Sequence, residues 1–118
     1  MTGMAWNLFA CNPVTDLGRA ADWYEAFLGR PAAFRPNDVE LVWEVADAAF
    51  LYIEVLPEHA GHGKQTLFVD DLDEVVAGIS ARGLEPESRE TYDNGVRKLI
   101  YRDPDGNEVG LGGAPAGS

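Results

Sequence analysis

Val14-Thr15-Asp16-Leu17 and, 55 positions later, Val69-Asp70-Asp71-Leu72 are two copies of one short pattern. A fixed-period echo inside a short chain points to a repeated structural unit, and the flanking residues show how far the unit extends. Each copy follows an extended stretch, Trp6 to Asn12 in the first case and Gln65 to Phe68 in the second. Each also opens a helical pattern. Leu17, Ala21, Tyr24 and Leu28 recur at the spacing of one helix face, with Thr15 or Asp16 as N-cap and Gly29 suited to the left-handed position past the end. Leu72, Val75, Val76 and Ile79 repeat the arrangement, with Asp70 or Asp71 as cap and Gly83 as the stop. Helices this short are unstable alone, so each must lie on a sheet.

Three extended segments follow each helix: Ala33 to Arg35, Glu40 to Val45 and Phe50 to Leu56, then Ser88 to Tyr92, Val96 to Tyr101 and Glu108 to Leu111. The breaks carry turn chemistry in Pro36-Asn37-Asp38, Asp47-Ala48, Asn94-Gly95 and Pro104-Asp105-Gly106. The unit is therefore β-α-β-β-β, used twice. This predicts an α+β fold with a curved, cleft-bearing mixed sheet and helices on its convex side. Module one is expected at 5–57, a Gly- and His-containing linker at 58–63, module two at 64–112, and a disordered small-residue tail at 113–118.

The 118 residues allow one domain, and 46% apolar content allows a core. A chain of this size buries only about two-thirds of its unfolded surface, so a second copy would help it. Twenty acidic against nine basic residues give a net charge of −11, which argues against nucleic-acid binding because phosphates need a basic face. The charge suits a cationic ligand, and equally a soluble surface. The segment Met1 to Trp6 has neither positive charge nor an apolar run, so neither a signal peptide nor a membrane anchor is expected. Cys11 is the only cysteine and has no internal partner for a disulfide, which predicts a reducing, cytoplasmic setting.

Strand alternation separates two kinds of face. In Phe50 to Leu56, Leu51, Ile53 and Val55 form an aliphatic side suited to the helices, while Phe50, Tyr52 and Glu54 form a mixed side suited to a pocket. Phe9 and Cys11 oppose Leu8 and Ala10; Lys64, Thr66 and Phe68 oppose Gln65, Leu67 and Val69. The expected ligand-binding set is Phe9, Tyr52, Glu54, Thr66 and Phe68, joined by Trp43 and Tyr101, with Trp43 either a pocket floor or a core residue. Glu108 offers a further negative charge.

Asn12-Pro-Val-Thr-Asp-Leu-Gly-Arg-Ala-Ala-Asp-Trp-Tyr-Glu-Ala-Phe-Leu-Gly29 resembles the first strand and helix of the vicinal oxygen chelate superfamily, which includes glyoxalase I, extradiol dioxygenases and the bleomycin and fosfomycin resistance proteins. Tyr101-Arg102-Asp103-Pro104-Asp105-Gly106-Asn107-Glu108-Val109 resembles the turn before its final strand. Metal-using members place a His on the first strand of each module and a carboxylate on the last, leaving open positions on a divalent ion that chelates an oxygen-rich substrate. Carried onto this sequence by counting from the repeated motif, those positions are Phe9, Glu54, Lys64 and Gly110. Of these, Glu54 alone can bind a metal, so the resemblance implies a chelate site that has been lost: no metal, no cofactor.

His59-x-x-His62 falls in the Gly-rich linker, where no helix fixes its geometry, and reads as two solvated loop histidines. Cys11 has no basic neighbour in sequence to activate it, and Ser80 and Ser88 lack a nucleophile-elbow context. The leading expectation is a metal-independent, non-enzymatic small-molecule binding protein resembling the bleomycin-resistance branch, a homodimer holding a cationic or aromatic antibiotic or metabolite, with no nucleic-acid or membrane partner. The alternative is a metal-dependent lyase, isomerase or dioxygenase whose ligands lie elsewhere, His62 replacing Lys64 being the obvious slip. A third reading is a dimerisation module with no small ligand.

Overall fold

The computed structural model describes residues 5–116. The repeated unit is present twice. Module one runs β1 (Leu8–Val14), α1 (Leu17–Leu28), β2 (Phe34–Asn37), β3 (Glu40–Ala46) and β4 (Ala49–Val55). A 3₁₀ turn at Pro57–His59 leads to β5 (Lys64–Phe68), α2 (Leu72–Ala81), β6 (Ser88–Thr91), β7 (Arg97–Arg102) and β8 (Glu108–Gly113). Each module is a four-stranded mixed sheet, in the orders β1-β4-β3-β2 and β5-β8-β7-β6. The first and last strands of each module pair in parallel, and the remaining pairs are antiparallel. A parallel pair needs a crossover, and each helix supplies part of it.

The helix signals resolve to single residues. Asp16, not Thr15, caps α1 by accepting from the Arg19 N–H at 3.0 Å, and Asp71, not Asp70, caps α2 by accepting from the Glu74 N–H at 3.1 Å. Gly29 closes α1 at φ 75°, a left-handed conformation that costs glycine little. The buried stripe of α1 is Ala20, Tyr24 and Phe27, so the expected line of Leu17, Ala21 and Leu28 forms its flank. The tail departs from expectation: Gly112 and Gly113 complete β8 and are buried, because the strand pairs on both edges. Of the remaining tail, 114–116 is described and 117–118 lies outside the described residues.

The two sheets meet along the edge strands β1 and β5, where Asn12 and Gln65 hydrogen-bond through their side chains. Both helices lie on the same side, with Arg82 of the α2 C-cap donating to the α1 carbonyls of Ala26 and Phe27. The result is a slab of 45 × 44 × 24 Å with its core between sheets and helices. One polar cluster lies within that core. The Tyr24 hydroxyl accepts from Asn12 at 2.8 Å and donates to Asp103 at 2.7 Å, and Asn107 donates to Asp103 and to the Pro13 carbonyl, each at 2.7 Å. Buried polar groups are tolerated when paired in this way. Gly63 enters the cluster by donating its N–H to Asn107 at 2.7 Å, and a Cβ there would collide with the Asn12 amide.

Candidate functional site

Directly paired residues in a ladder share a face, so the register sorts every strand residue. Trp43 pairs with Leu51 and Tyr101 with Val109, which puts both on the helix side. Each is 1% exposed. Trp43 packs on Tyr24 with ring centroids 5.8 Å apart and donates its indole N–H to the Arg30 carbonyl, while Tyr101 packs edge-on against Phe27 at 5.0 Å. Neither can line the open face; both are core residues. The reason is the apolar runs Leu41-Val42-Trp43 and Leu99-Ile100-Tyr101, which erase the alternation that would have assigned a face.

The open face of module one carries Phe9 and Cys11 from β1, Phe50, Tyr52 and Glu54 from β4, Glu40, Val42 and Glu44 from β3, and Phe34 from β2. Phe9 stacks on Phe50 at 4.5 Å and 9°, with Tyr52 edge-on to Phe9 and Phe34 edge-on to Phe50, both at 6.4 Å. Phe9 is 48% and Phe34 47% exposed, so the cluster is half open to solvent. Its charged neighbours on β3 and β4 are all carboxylates. The structure thus brings together three expected residues, Phe9, Tyr52 and Glu54, and adds Phe34 and Phe50. Phe50 shares the alternation of Tyr52 in the sequence; Phe34 lies in a four-residue strand with a register irregularity, and no periodicity identifies its face.

Burial first, and the neighbouring Cys11 and carboxylates Glu54 and Glu40 second, push the Tyr52 hydroxyl up to about 12. The Cys11 thiol is also raised, chiefly by burial and further by Glu54 and Glu40, with the Tyr52 hydroxyl opposing. A thiol held protonated is a poor nucleophile. Face one therefore offers π-surface and negative charge rather than a reactive group.

The open face of module two differs. Lys64, Thr66 and Phe68 line up with Glu108, Gly110 and Gly112, and beyond them with Arg102, Ile100 and Lys98. Thr66 and Phe68 lie over bare glycine: a Cβ at Gly110 would come within 3.1 Å of Thr66 Oγ1, and one at Gly112 within 3.1 Å of the Phe68 ring. Glu108 does not offer the free charge expected of it. Lys64 at 3.8 Å and Arg102 at 3.5 Å flank its carboxylate.

Pairing also refines the inferred ligand positions. Phe9 stands opposite Phe50 and Lys64 opposite Glu108, so the residue four beyond the partner is Glu54 in one module and Gly112 in the other. Counting through the turns gives Gly110 instead, because the β7–β8 connection is longer than the β3–β4 connection. Either glycine lacks a donor, Phe9 has none, and the Lys64 ammonium repels a cation. This donor set does not fit a divalent metal. His59 and His62 are exposed in the connection before β5, and among the described residues no group of three metal-ligating side chains converges.

Comparison with solved structures gives close overlays. A glyoxalase/bleomycin resistance protein from Catenulispora acidiphila superposes with TM-score 0.91 at 50% identity, covering 94% of this chain and 100% of that one. A lactoylglutathione lyase from Agrobacterium tumefaciens gives TM-score 0.77 at 20% identity, with 94% and 95% covered. An antibiotic binding protein from a Streptomyces species gives 0.71 at 24% identity, with 97% and 99% covered. The latter two share the fold. Comparison with curated proteins finds no match. The family model of the Glyoxalase/Bleomycin resistance protein/Dioxygenase superfamily matches residues 10–111, and the chain belongs to that superfamily.

Proposed function

We propose that this protein is a metal-independent small-molecule binder that acts as a cytoplasmic homodimer and sequesters an aromatic or cationic compound, an antibiotic or a metabolite, on the open face of module one. The observation that carries this reading is the half-exposed cluster Phe9–Phe50–Tyr52–Phe34 beside Glu54. Stacked rings attract a planar ligand through dispersion and a cation through their quadrupoles, and Glu40, Glu44 and Glu54 deepen the negative potential. A phenyl ring replaces an imidazole at Phe9, so affinity comes from stacking rather than coordination. Sequestration is favoured over turnover because neither face brings together an activated nucleophile and a base.

Two features support the homodimer. Phe9, Phe34 and Phe68 (65% exposed) are left uncovered on the sheets. The faces are also complementary, carboxylates on module one against Lys64, Lys98 and Arg102 on module two. A partner's second module seated over the first would enclose the ligand. No helix of the described residues is long and apolar enough to cross a membrane, and Cys11 is the chain's only cysteine.

The experiment is a thermal-shift screen of cationic antibiotics and small aromatic compounds, with and without divalent metals. A compound that binds only the folded state raises the midpoint by mass action. Stabilisation that needs no metal and is lost in Phe9→Ala supports the reading; stabilisation by metal alone overturns it.

A further inference from the structure

The two modules do not close their helix-side ends in the same way. In one, the five-residue connection 103–107 folds against α1, and the space between is filled by Asn12, Tyr24, Asp103 and Asn107. In the other, the matching positions 55 residues away from Asn12 and Tyr24 are Leu67 and Ile79, and the connection is only Asp47-Ala48. Ala48 takes φ 59°, a left-handed conformation that keeps this turn tight, and its carbonyl accepts from the Leu8 N–H at 2.9 Å. The short turn and the small side chains of Ala46 and Ala49 leave a cavity of about 860 Å³ between the α1 C-terminus, β5 and α2, walled by Leu28, Leu67, Val75 and Ile79.

We propose that this cavity is a second binding site, for a neutral apolar molecule, distinct from the Phe9–Phe50 aromatic cluster on the module-one face. Its volume falls in the range of small-molecule sites, about 300–1,000 Å³. Phe27, Leu28, Leu67, Val75, Ile79 and Leu111 make most of its wall apolar, and an apolar guest gains by moving from water onto such a wall. The charges at its edge cancel and are partly committed: Arg82 caps α1, Asp71 caps α2, and Arg30 and Glu74 complete the set. A charged guest would therefore find no uncompensated partner, which selects a neutral one. Leu67 and Val69 line it from one face of β5 and Thr66 and Phe68 from the other, so the cavity wraps the β5 edge while the Phe9–Phe50 cluster lies outside it.

The test uses the full chain and N-phenyl-1-naphthylamine, a neutral dye that fluoresces in apolar surroundings. The wild-type protein is expected to bind it saturably; Ala49→Leu or Val75→Phe, which fill the cavity, should weaken binding by about tenfold, and Phe9→Ala by less than about twofold. Methyl NMR on the wild type covers the case in which a filled variant does not fold: shifts should concentrate at Leu67, Val75 and Ile79 and spare Val42. No uptake by the folded wild type, binding lost in Phe9→Ala, or shifts centred on Val42 would overturn the proposal.

Discussion

The Tyr24 hydroxyl on α1 donates a 2.7 Å hydrogen bond to the Asp103 carboxylate of the β7–β8 connection, joining the two modules inside the core. The two residues are 79 positions apart, and the same hydroxyl accepts from Asn12. Removing it leaves Asn12 and Asp103 each short of a partner where water cannot replace it. Tyr24→Phe should destabilise the protein by about 1–3 kcal/mol in urea unfolding. Tyr52→Phe, on the open face, should change stability far less. Equal effects would show that the network does not hold the modules together.

Gly63 makes the same point from the backbone. A Cβ at this position would overlap the Asn12 side chain and come within 2.9 Å of Asn107 Oδ1. Gly63→Ala should cost about 1–3 kcal/mol by forcing that cluster apart. Gly83→Ala meets nothing within 4 Å, so only its backbone strain at φ 94° counts, and it is expected to be milder. A Gly63→Ala midpoint equal to the wild type would contradict the packing.

The phenols give a pH signature. Tyr52 is pushed up to about 12 by burial and then by its charged neighbours, and Tyr24 and Tyr101 are also raised, burial leading in both. A group that holds its proton more tightly when folded stabilises the fold below its unfolded pKa, and that stability is lost as pH rises toward the folded value. Stability should therefore decline above pH about 10, the unfolded tyrosine value. Ultraviolet phenolate titration should show a step near 12 that disappears in Tyr52→Phe; a Tyr52 step at the ordinary position would contradict the geometry.

The exposed sheet faces predict association. Sedimentation at micromolar concentration should show a homodimer, weakened by Phe68→Glu, which removes an exposed ring and sets a carboxylate against the acidic module-one face of the other copy. A monomer at that concentration would leave the faces without the expected cover.

The duplicated Val-x-Asp-Leu, the caps and the turns made the β-α-β-β-β repeat legible, because each rests on local chemistry. Tyr52 and Glu54 were legible on one face because Leu51, Ile53 and Val55 alternate with them as a wholly aliphatic side, and Phe9 because the resemblance set it at a ligand position with Glu54. Trp43 and Tyr101 were not, since apolar residues on both sides of β3 and β7 give alternation nothing to separate. Phe34 was hidden by the irregular β2–β3 register. The Asn12–Tyr24–Asp103–Asn107 cluster joins residues far apart in sequence, so no local pattern announces it. The helix-side cavity depends on a comparison of two turns in three dimensions.

The central claim is that the module-one face binds its ligand by stacking and charge without metal. Isothermal titration of a planar aromatic cation and a neutral compound of the same shape, into wild type and Glu54→Gln, tests it most directly. The cation should lose about 1–3 kcal/mol in Glu54→Gln, because the bound ligand shields the pair from water, while the neutral compound should be almost unaffected. A chelator should change neither. Affinity that vanishes with chelator and returns with a divalent ion, or that ignores Phe9, Tyr52 and Glu54 alike, would contradict the account.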